Sequence, residues 1–145
     1  MKRSGFTMIE LIFVIVILGI LAAVAIPKLA ATRDDAKVAR LSSDAATIVS
    51  DVGAYYTANG AVGPWATMTN VKVYSDTALT LDANESNTSL PVYIGDTEGC
   101  FSFLRTSDGN LTIAGVGTSS ACAGAQIAAK KLITTHSFGG SKVKY

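Results

Sequence analysis

The chain opens with an apolar run, continues as an amphipathic stretch, and ends in short alternating runs. From Phe6 to Ile26 every residue is apolar or nearly so, with the exception of Glu10. A helix of about 20 apolar residues spans the hydrocarbon core of a bilayer, so this run predicts a membrane-spanning helix. A secretory signal peptide is the competing interpretation, because the alanines late in the run resemble a cleavage site.

The helical pattern continues beyond the apolar run. Across residues 38–55, apolar side chains recur every three or four positions, which is typical of a helix with one buried face. Asn59 and Gly60 supply a stop, since glycine accepts the left-handed conformation that ends many helices. We therefore predict one helix from Phe6 to about Asn59. A bend is expected at Pro27, because proline removes a backbone donor and crowds the preceding turn.

Residues 60–145 are different in character and rich in Gly, Ser, Thr and Asn. Four β-prone runs occur there, with a hairpin-turn sequence at 106–110 between the last two. The runs are Val71–Tyr74, Leu90–Ile94, Cys100–Leu104 and Leu111–Val116. They are too few and too short to be stable alone, so we expect them to bury one sheet face on the apolar stripe of the helix. A short helix is predicted at Ala123–Thr134 and a last edge strand at Lys142–Tyr145.

Charge and composition exclude several classes of function. The net charge of +1 gives no electrostatic reason to expect a nucleic-acid partner. A single histidine and two cysteines argue against a zinc site, and the acidic residues do not have the spacing of a calcium loop. No nucleotide-binding loop or recognisable carboxylate pair indicates an enzyme. We therefore expect no catalytic residue, no bound metal and no cofactor.

The residues that flank the apolar run orient it across the membrane. Lys2 and Arg3 precede it, which places the N-terminus in the cytoplasm and the rest of the chain outside the inner membrane. A disulfide persists outside the cytoplasm, and Cys100 and Cys122 allow only one intramolecular pairing. That bridge would close a loop of about 22 residues and stabilise the fold by roughly 3 kcal/mol. Two free thiols are the alternative.

The segment SGFTMIEL resembles the N-terminus of type IV pilins and of the related type II secretion pseudopilins. In that family a basic leader ends in glycine, a dedicated peptidase cuts before a phenylalanine, and the new amine is methylated. The resemblance implies a leader at 1–5, cleavage after Gly5 and N-methylation of Phe6. Glu10 corresponds to the family's glutamate, which implies that it pairs with the N-terminal amine of a neighbouring subunit during assembly. Pro27 corresponds to the family's helix-bending proline.

The same resemblance implies an α+β, pilin-like fold, with a long N-terminal helix packed against a small antiparallel β-sheet. The chain would comprise a leader (1–5), a transmembrane and filament-core helix (6–27), an amphipathic helix (28–59) and a β-rich globular region (60–145). The implied partners are related subunits in a helical filament, the prepilin peptidase, an assembly platform and an assembly ATPase. The implied location is the inner membrane, followed by a periplasmic or cell-surface filament. A pilin, a secretion pseudopilin and a membrane-tethered binding module that never polymerises all stay open.

Three N-x-[ST] triplets suggest a modification. They begin at Asn84, Asn87 and Asn110, and each has an acidic residue two positions upstream. That pattern resembles the extended acceptor sequence of bacterial N-oligosaccharyltransferases. Polar loops also produce such triplets by chance, so glycosylation is a hypothesis at this point.

Overall fold

A computed structural model describes residues 5–80 and 90–139 of the chain. Helix α1, Met8–Asn59, includes Pro27 and agrees with the helix predicted from the sequence. It ends as expected, because Gly60 has a φ of 68° and its amide donates to the Tyr56 carbonyl oxygen at 2.8 Å. The chain divides into two compact units between Asp34 and Asp35. The bend at Pro27 stays a prediction.

The second unit adds a four-stranded antiparallel sheet to the C-terminal half of α1. Its strands are β1 (Val92–Gly95), β2 (Gly99–Arg105), β3 (Asn110–Gly115) and β4 (Thr135–Ser137), and they lie in the order β1-β2-β3-β4. The remaining elements are α2 (Trp65–Met68), α3 (Ser120–Ala128) and a 3-10 turn (Lys130–Leu132). The α+β class predicted from the sequence is confirmed.

The apolar stripe of α1 forms one side of the core. Leu41, Ala45, Ile48 and Val52 are its buried residues, and their spacing of three and four places them on one helical face. They join one hydrophobic cluster with inward-facing residues of the sheet, which include Phe101, Phe103, Leu111 and Ile113. The expected packing of the sheet against this stripe is therefore confirmed.

The hairpin between β2 and β3 forms where the turn sequence predicted it. Phe103 pairs with Ile113 in the antiparallel register. The turn needs glycine at Gly109, which has a φ of 77°, and a Cβ at this position would overlap the ring of Tyr56. Tyr56 lies in the last turn of α1, so this contact fixes the hairpin tip against the helix.

One predicted strand is wrong. In Val71–Tyr74 only Tyr74 pairs, and it does so in an isolated bridge with Tyr93. The run has strand-forming side chains, but β propensity has an effect only where a neighbouring strand supplies partners along its length. Sequence reasoning also missed the short helix α2, which precedes this run. It places Trp65 in the core, with the ring centre 4.6 Å from the guanidinium carbon of Arg105.

The predicted helix Ala123–Thr134 is displaced and shorter. Helix α3 begins at Ser120, because the Ser119 side chain accepts a hydrogen bond from the amide of Cys122 at 3.4 Å and caps it. After the 3-10 turn the chain reverses into β4, which pairs with β3 as the edge strand. The edge strand predicted at Lys142–Tyr145 lies outside the described residues.

Candidate functional site

The predicted processing site lies immediately before helix α1. Gly5 and Phe6 are not helical, and the carbonyl oxygen of Thr7 accepts the first helical hydrogen bond, from Leu11, at 3.3 Å. Phe6 is 88% exposed, and a Cβ added at Gly5 would meet no atom within 4 Å. The Gly5–Phe6 bond therefore lies outside the hydrogen-bond ladder of the helix, and cleavage at this bond stays a prediction.

Thr7 and Glu10 form a reciprocal cap at the start of the helix. The amide and the hydroxyl of Thr7 both donate to Oε2 of Glu10, at 2.8 Å and 2.6 Å. In return the Glu10 amide donates to Oγ1 of Thr7 at 3.4 Å. This arrangement is a capping box, which satisfies amides that the first turn leaves without helical partners. Sequence reasoning missed the role of Thr7, although the T-x-x-E spacing is the signal for it.

The cap leaves half of the carboxylate available. Both hydrogen bonds from Thr7 reach Oε2 of Glu10, and among the described residues Oε1 has no partner. The carboxylate is thus oriented toward the N-terminal end of the helix through one oxygen, while the other can accept a hydrogen bond from a cation. The geometry suits the pairing with an amine that the sequence resemblance implies.

The helix beyond Glu10 exposes apolar side chains all around its axis. The large ones range in exposure from 43% at Ile17 to 68% at Phe13 and Leu29. By length and composition α1 contains a segment able to cross a membrane, and none of that segment is buried within the chain. A helix that is apolar all round needs a lipid or protein environment. These exposed side chains have no apolar packing partner among the described residues of the chain.

The predicted disulfide is present in the second unit. Cys100 of β2 and Cys122 of α3 are bonded, with their Cα atoms 4.9 Å apart. Both are buried, and the side-chain amide of Gln126 donates to the carbonyl oxygens of Cys100 and Gly117, at 3.0 Å and 2.9 Å. The bridge and these hydrogen bonds hold α3 on the sheet, which indicates a structural role.

Glu98 supplies a second link to α3 that the sequence did not predict. Its Oε1 accepts hydrogen bonds from the amides of Ser119 at 2.7 Å and Thr118 at 2.9 Å. These hydrogen bonds, that from Ser119 first, hold the pKa of Glu98 below its usual value. The carboxylate also lies at the positive end of the helix dipole. Across residues 5–80 and 90–139, no group of three or more His, Cys, Asp or Glu side chains could hold a metal ion.

The three glycosylation candidates are unequally placed. Asn84 and Asn87 lie outside the described residues. Asn110 begins β3, where its Oδ1 accepts a hydrogen bond from the Ser137 hydroxyl at 2.7 Å. Glycosylation stays a hypothesis at all three positions.

Comparison with known proteins bears on the N-terminal segment. Residues 1–26, which include Gly5, Phe6 and Glu10, match the family described as the prokaryotic N-terminal methylation motif. The N-terminal segment thus has the residues of a prepilin-type methylation motif. Pro27 follows directly after the matched residues, and both cysteines of the disulfide lie far beyond them.

Two curated proteins are similar to part of the chain. The chain is 43% identical over 54 residues to the type II secretion system core protein G of Pseudomonas aeruginosa, covering 37% of this chain and 38% of that protein. It is 46% identical over 50 residues to the type IV narrow pilus major component PilA5 of Thermus thermophilus, covering 34% of this chain and 43% of that protein. The matches thus span less than half of either relative. No solved structure matches the chain.

Proposed function

We propose that this chain is a structural subunit of a type IV pilus-like filament. In this proposal it is inserted in the inner membrane with its C-terminal domain outside the cytoplasm, and it is cleaved after Gly5. Phe6 then becomes the N-methylated first residue. The observation that supports this most strongly is the coincidence of the prepilin motif with a helix whose apolar half has no packing partner in the described residues.

Assembly is driven by the apolar half of α1. Once a subunit leaves the bilayer, its side chains from Phe6 to Ile26 need another apolar environment. Each Å² of apolar surface kept out of water contributes about 25 cal/mol of favourable free energy. Packing against the same segment of other copies satisfies this requirement. The filament therefore has these helices in its centre and the sheet-containing units outside, with contacts from Phe6 to roughly Tyr56.

Glu10 sets the register of this packing. In a core stripped of lipid, an unpaired carboxylate is strongly unfavourable, so Oε1 of Glu10 pairs with the cationic amine of Phe6 in a neighbouring copy. Residue 6 of one copy then lies level with residue 10 of the next. This offset of four residues corresponds to about 6 Å along a helix.

The proposal requires a set of assembly partners. They are the prepilin peptidase, an assembly platform and an assembly ATPase, together with other copies of this chain or related pilins. A pilus component and a secretion-system core protein among the relatives support a structural rather than an enzymatic role.

A pseudopilin of a type II secretion system is the second candidate. The similarity to core protein G of such a system favours it. Immunolabelling of cells with an antibody to the second unit separates the two roles. Long fibres on the cell surface would support a pilin, whereas a short assembly confined to the periplasm would support a pseudopilin.

Replacement of Glu10 by alanine tests the polymerisation. We expect Glu10→Ala to remain in the membrane fraction and to enter sheared filaments at least tenfold less than wild type, because removing one partner of a buried ion pair costs about 3–5 kcal/mol. Asp108→Ala is the matched control, since Asp108 is exposed in the β2–β3 turn. A normal filament yield from Glu10→Ala would contradict the proposal.

A further inference from the structure

Most carboxylates of the described residues are engaged within the subunit. Their partners are Thr7 for Glu10, Arg40 for Asp44, Thr69 for Asp51, Thr80 for Asp76, Lys37 and Arg40 for Asp96, and the Thr118 and Ser119 amides for Glu98. Within residues 5–80 and 90–139, only Asp34, Asp35 and Asp108 have neither an ion pair nor a hydrogen bond. Asp34 and Asp35 are adjacent and exposed on α1, so they present two negative charges to whatever lies beside the helix.

The second unit has a groove between α1 and the end of α3, and its charge is opposite to that of Asp34 and Asp35. It encloses about 670 Å³, and its floor is formed by small and apolar side chains of the two elements. Ile127 lines it and is 76% exposed, because α3 turns the opposite face toward the core. Lys130 and Lys131 also line the groove, and neither has an ion pair among the described residues. The groove thus combines an exposed apolar side chain with two adjacent positive charges.

We propose that this groove binds a second copy of this chain, through the exposed α1 segment that carries Asp34 and Asp35. The two carboxylates of that copy face Lys130 and Lys131, and its alanines at positions 30 and 31, on the same side of the helix, pack on Ile127. Opposite charges on the two surfaces fix the orientation and favour this partner over like-charged ones. Short side chains on α1, such as Ser43 and Ala46, leave space for a helix to approach closely.

The register of the proposed filament, on which this contact rests, brings the two surfaces to similar heights. If Phe6 of a neighbour lies level with Glu10, its Asp35 lies level with residue 39 of the first copy by residue count along α1. Ser42, at the edge of the groove, is three residues further, which is about 4.5 Å along a helix. A lysine side chain is long enough to cover that distance. The copy that supplies Glu10 to the Phe6 amine can therefore also supply the groove to the Asp35 segment of the same neighbour. The contact is heterologous, as a filament requires.

Heterotypic crosslinking tests the contact in assembled filaments. A tagged chain with Asp35→Cys is co-expressed with an untagged chain with Lys131→Cys, each keeping the native disulfide, and filaments are oxidised after shearing. We expect a tagged–untagged dimer at least fivefold more abundant than in the matched control, in which Asp108→Cys replaces Asp35→Cys. Equal or absent dimers in the two experiments would overturn the proposal.

A second pair separates this contact from the filament itself. Phe13→Cys in one chain and Ile17→Cys in the other report on helix packing in the filament core. If this core pair crosslinks and the 35–131 pair does not, the filament proposal is supported and the proposal that the groove binds a second copy is overturned. If neither pair crosslinks, the filament proposal fails and the groove contact fails with it.

A charge variant provides an independent measurement. Lys130→Glu combined with Lys131→Glu should lower the yield of sheared filaments at least threefold, while Lys130→Arg with Lys131→Arg should stay within twofold of wild type. Trp65 fluorescence verifies that the subunits are folded. A loss of yield without a 35–131 crosslink would overturn the proposal of a second copy.

Discussion

The two halves of α1 form one continuous helix but face different environments. In the N-terminal half, large apolar side chains such as Ile15 and Leu21 are more than half exposed on every side of the axis. In the C-terminal half, four residues on one face are fully enclosed by the chain's own sheet, and the other face is polar. The same backbone geometry therefore serves an intermolecular surface and an intramolecular core.

The difference shows how side-chain distribution decides the partner of a helix. An apolar stripe about 100° wide is covered by one small sheet, which is enough for the C-terminal half. A fully apolar circumference needs lipid or several other helices around it. Substitutions in the two halves should therefore act on different properties of the protein.

The largest effect on folding stability is expected in the C-terminal half. Ile48→Ala should lower the free energy of unfolding by about 2–5 kcal/mol, because it removes buried methyl groups and leaves a cavity. Ile15→Ala, the matched change in the N-terminal half, should leave that free energy unchanged. Urea unfolding of the full chain in detergent, followed by the fluorescence of the buried Trp65, measures both. Equal losses in the two variants would show that the halves do not fold independently.

Loss of the disulfide should lower the free energy of unfolding almost as much, and it should affect only the second unit. Cys100→Ser combined with Cys122→Ser should lower the unfolding free energy by about 3 kcal/mol, since the bridge restricts the unfolded chain over a loop of 22 residues. The same urea titration measures the loss, and membrane fractionation of the variant should match wild type. A variant that unfolds at the wild-type urea concentration would mean that the hydrogen bonds of Gln126 and Glu98 suffice to hold α3.

The smallest effect concerns Glu98 and depends on pH. Because the pKa of Glu98 is lowered in the folded state, its carboxylate stabilises the fold above its unfolded pKa, and this stabilisation is lost as the pH falls through the folded pKa. Glu98→Gln should thus be less stable than wild type at pH 7, and the difference should shrink on acidification below about pH 4. Thermal unfolding at a series of pH values measures it. A constant difference between the two proteins would contradict the assignment.

The sequence predicted those features whose signals are local or compositional. The span of α1, its stop at Gly60, the β2–β3 hairpin and the disulfide all follow from spacing, turn chemistry or the number of cysteines. The run at Val71 was misassigned because strand formation depends on a partner distant in the sequence. The end of α3 was misplaced because the chain reverses there to complete the sheet, which propensity does not encode.

The candidate site also includes features that the sequence predicted and features that it missed. Gly5, Phe6 and Glu10 were predicted from the resemblance and their roles stay predictions, whereas the hydrogen bonds between Thr7 and Glu10 were found in the structure. The contribution of Glu98 was also missed, because it depends on two backbone amides of a segment about 20 residues away. The Thr7–Glu10 cap has a signal in its T-x-x-E spacing, whereas the contact of Glu98 is created by folding and has no signal in the sequence.

The central claim is that the apolar half of α1 is the polymerisation surface and that Glu10 sets its register. Two tagged copies with single cysteines between Ile9 and Leu21, co-assembled and oxidised, measure that register directly. We expect heterotypic dimers to be most abundant when the cysteines are offset by about four residues, and this maximum to disappear in Glu10→Ala. Dimers that form at no offset, or equally at every offset, would contradict the account.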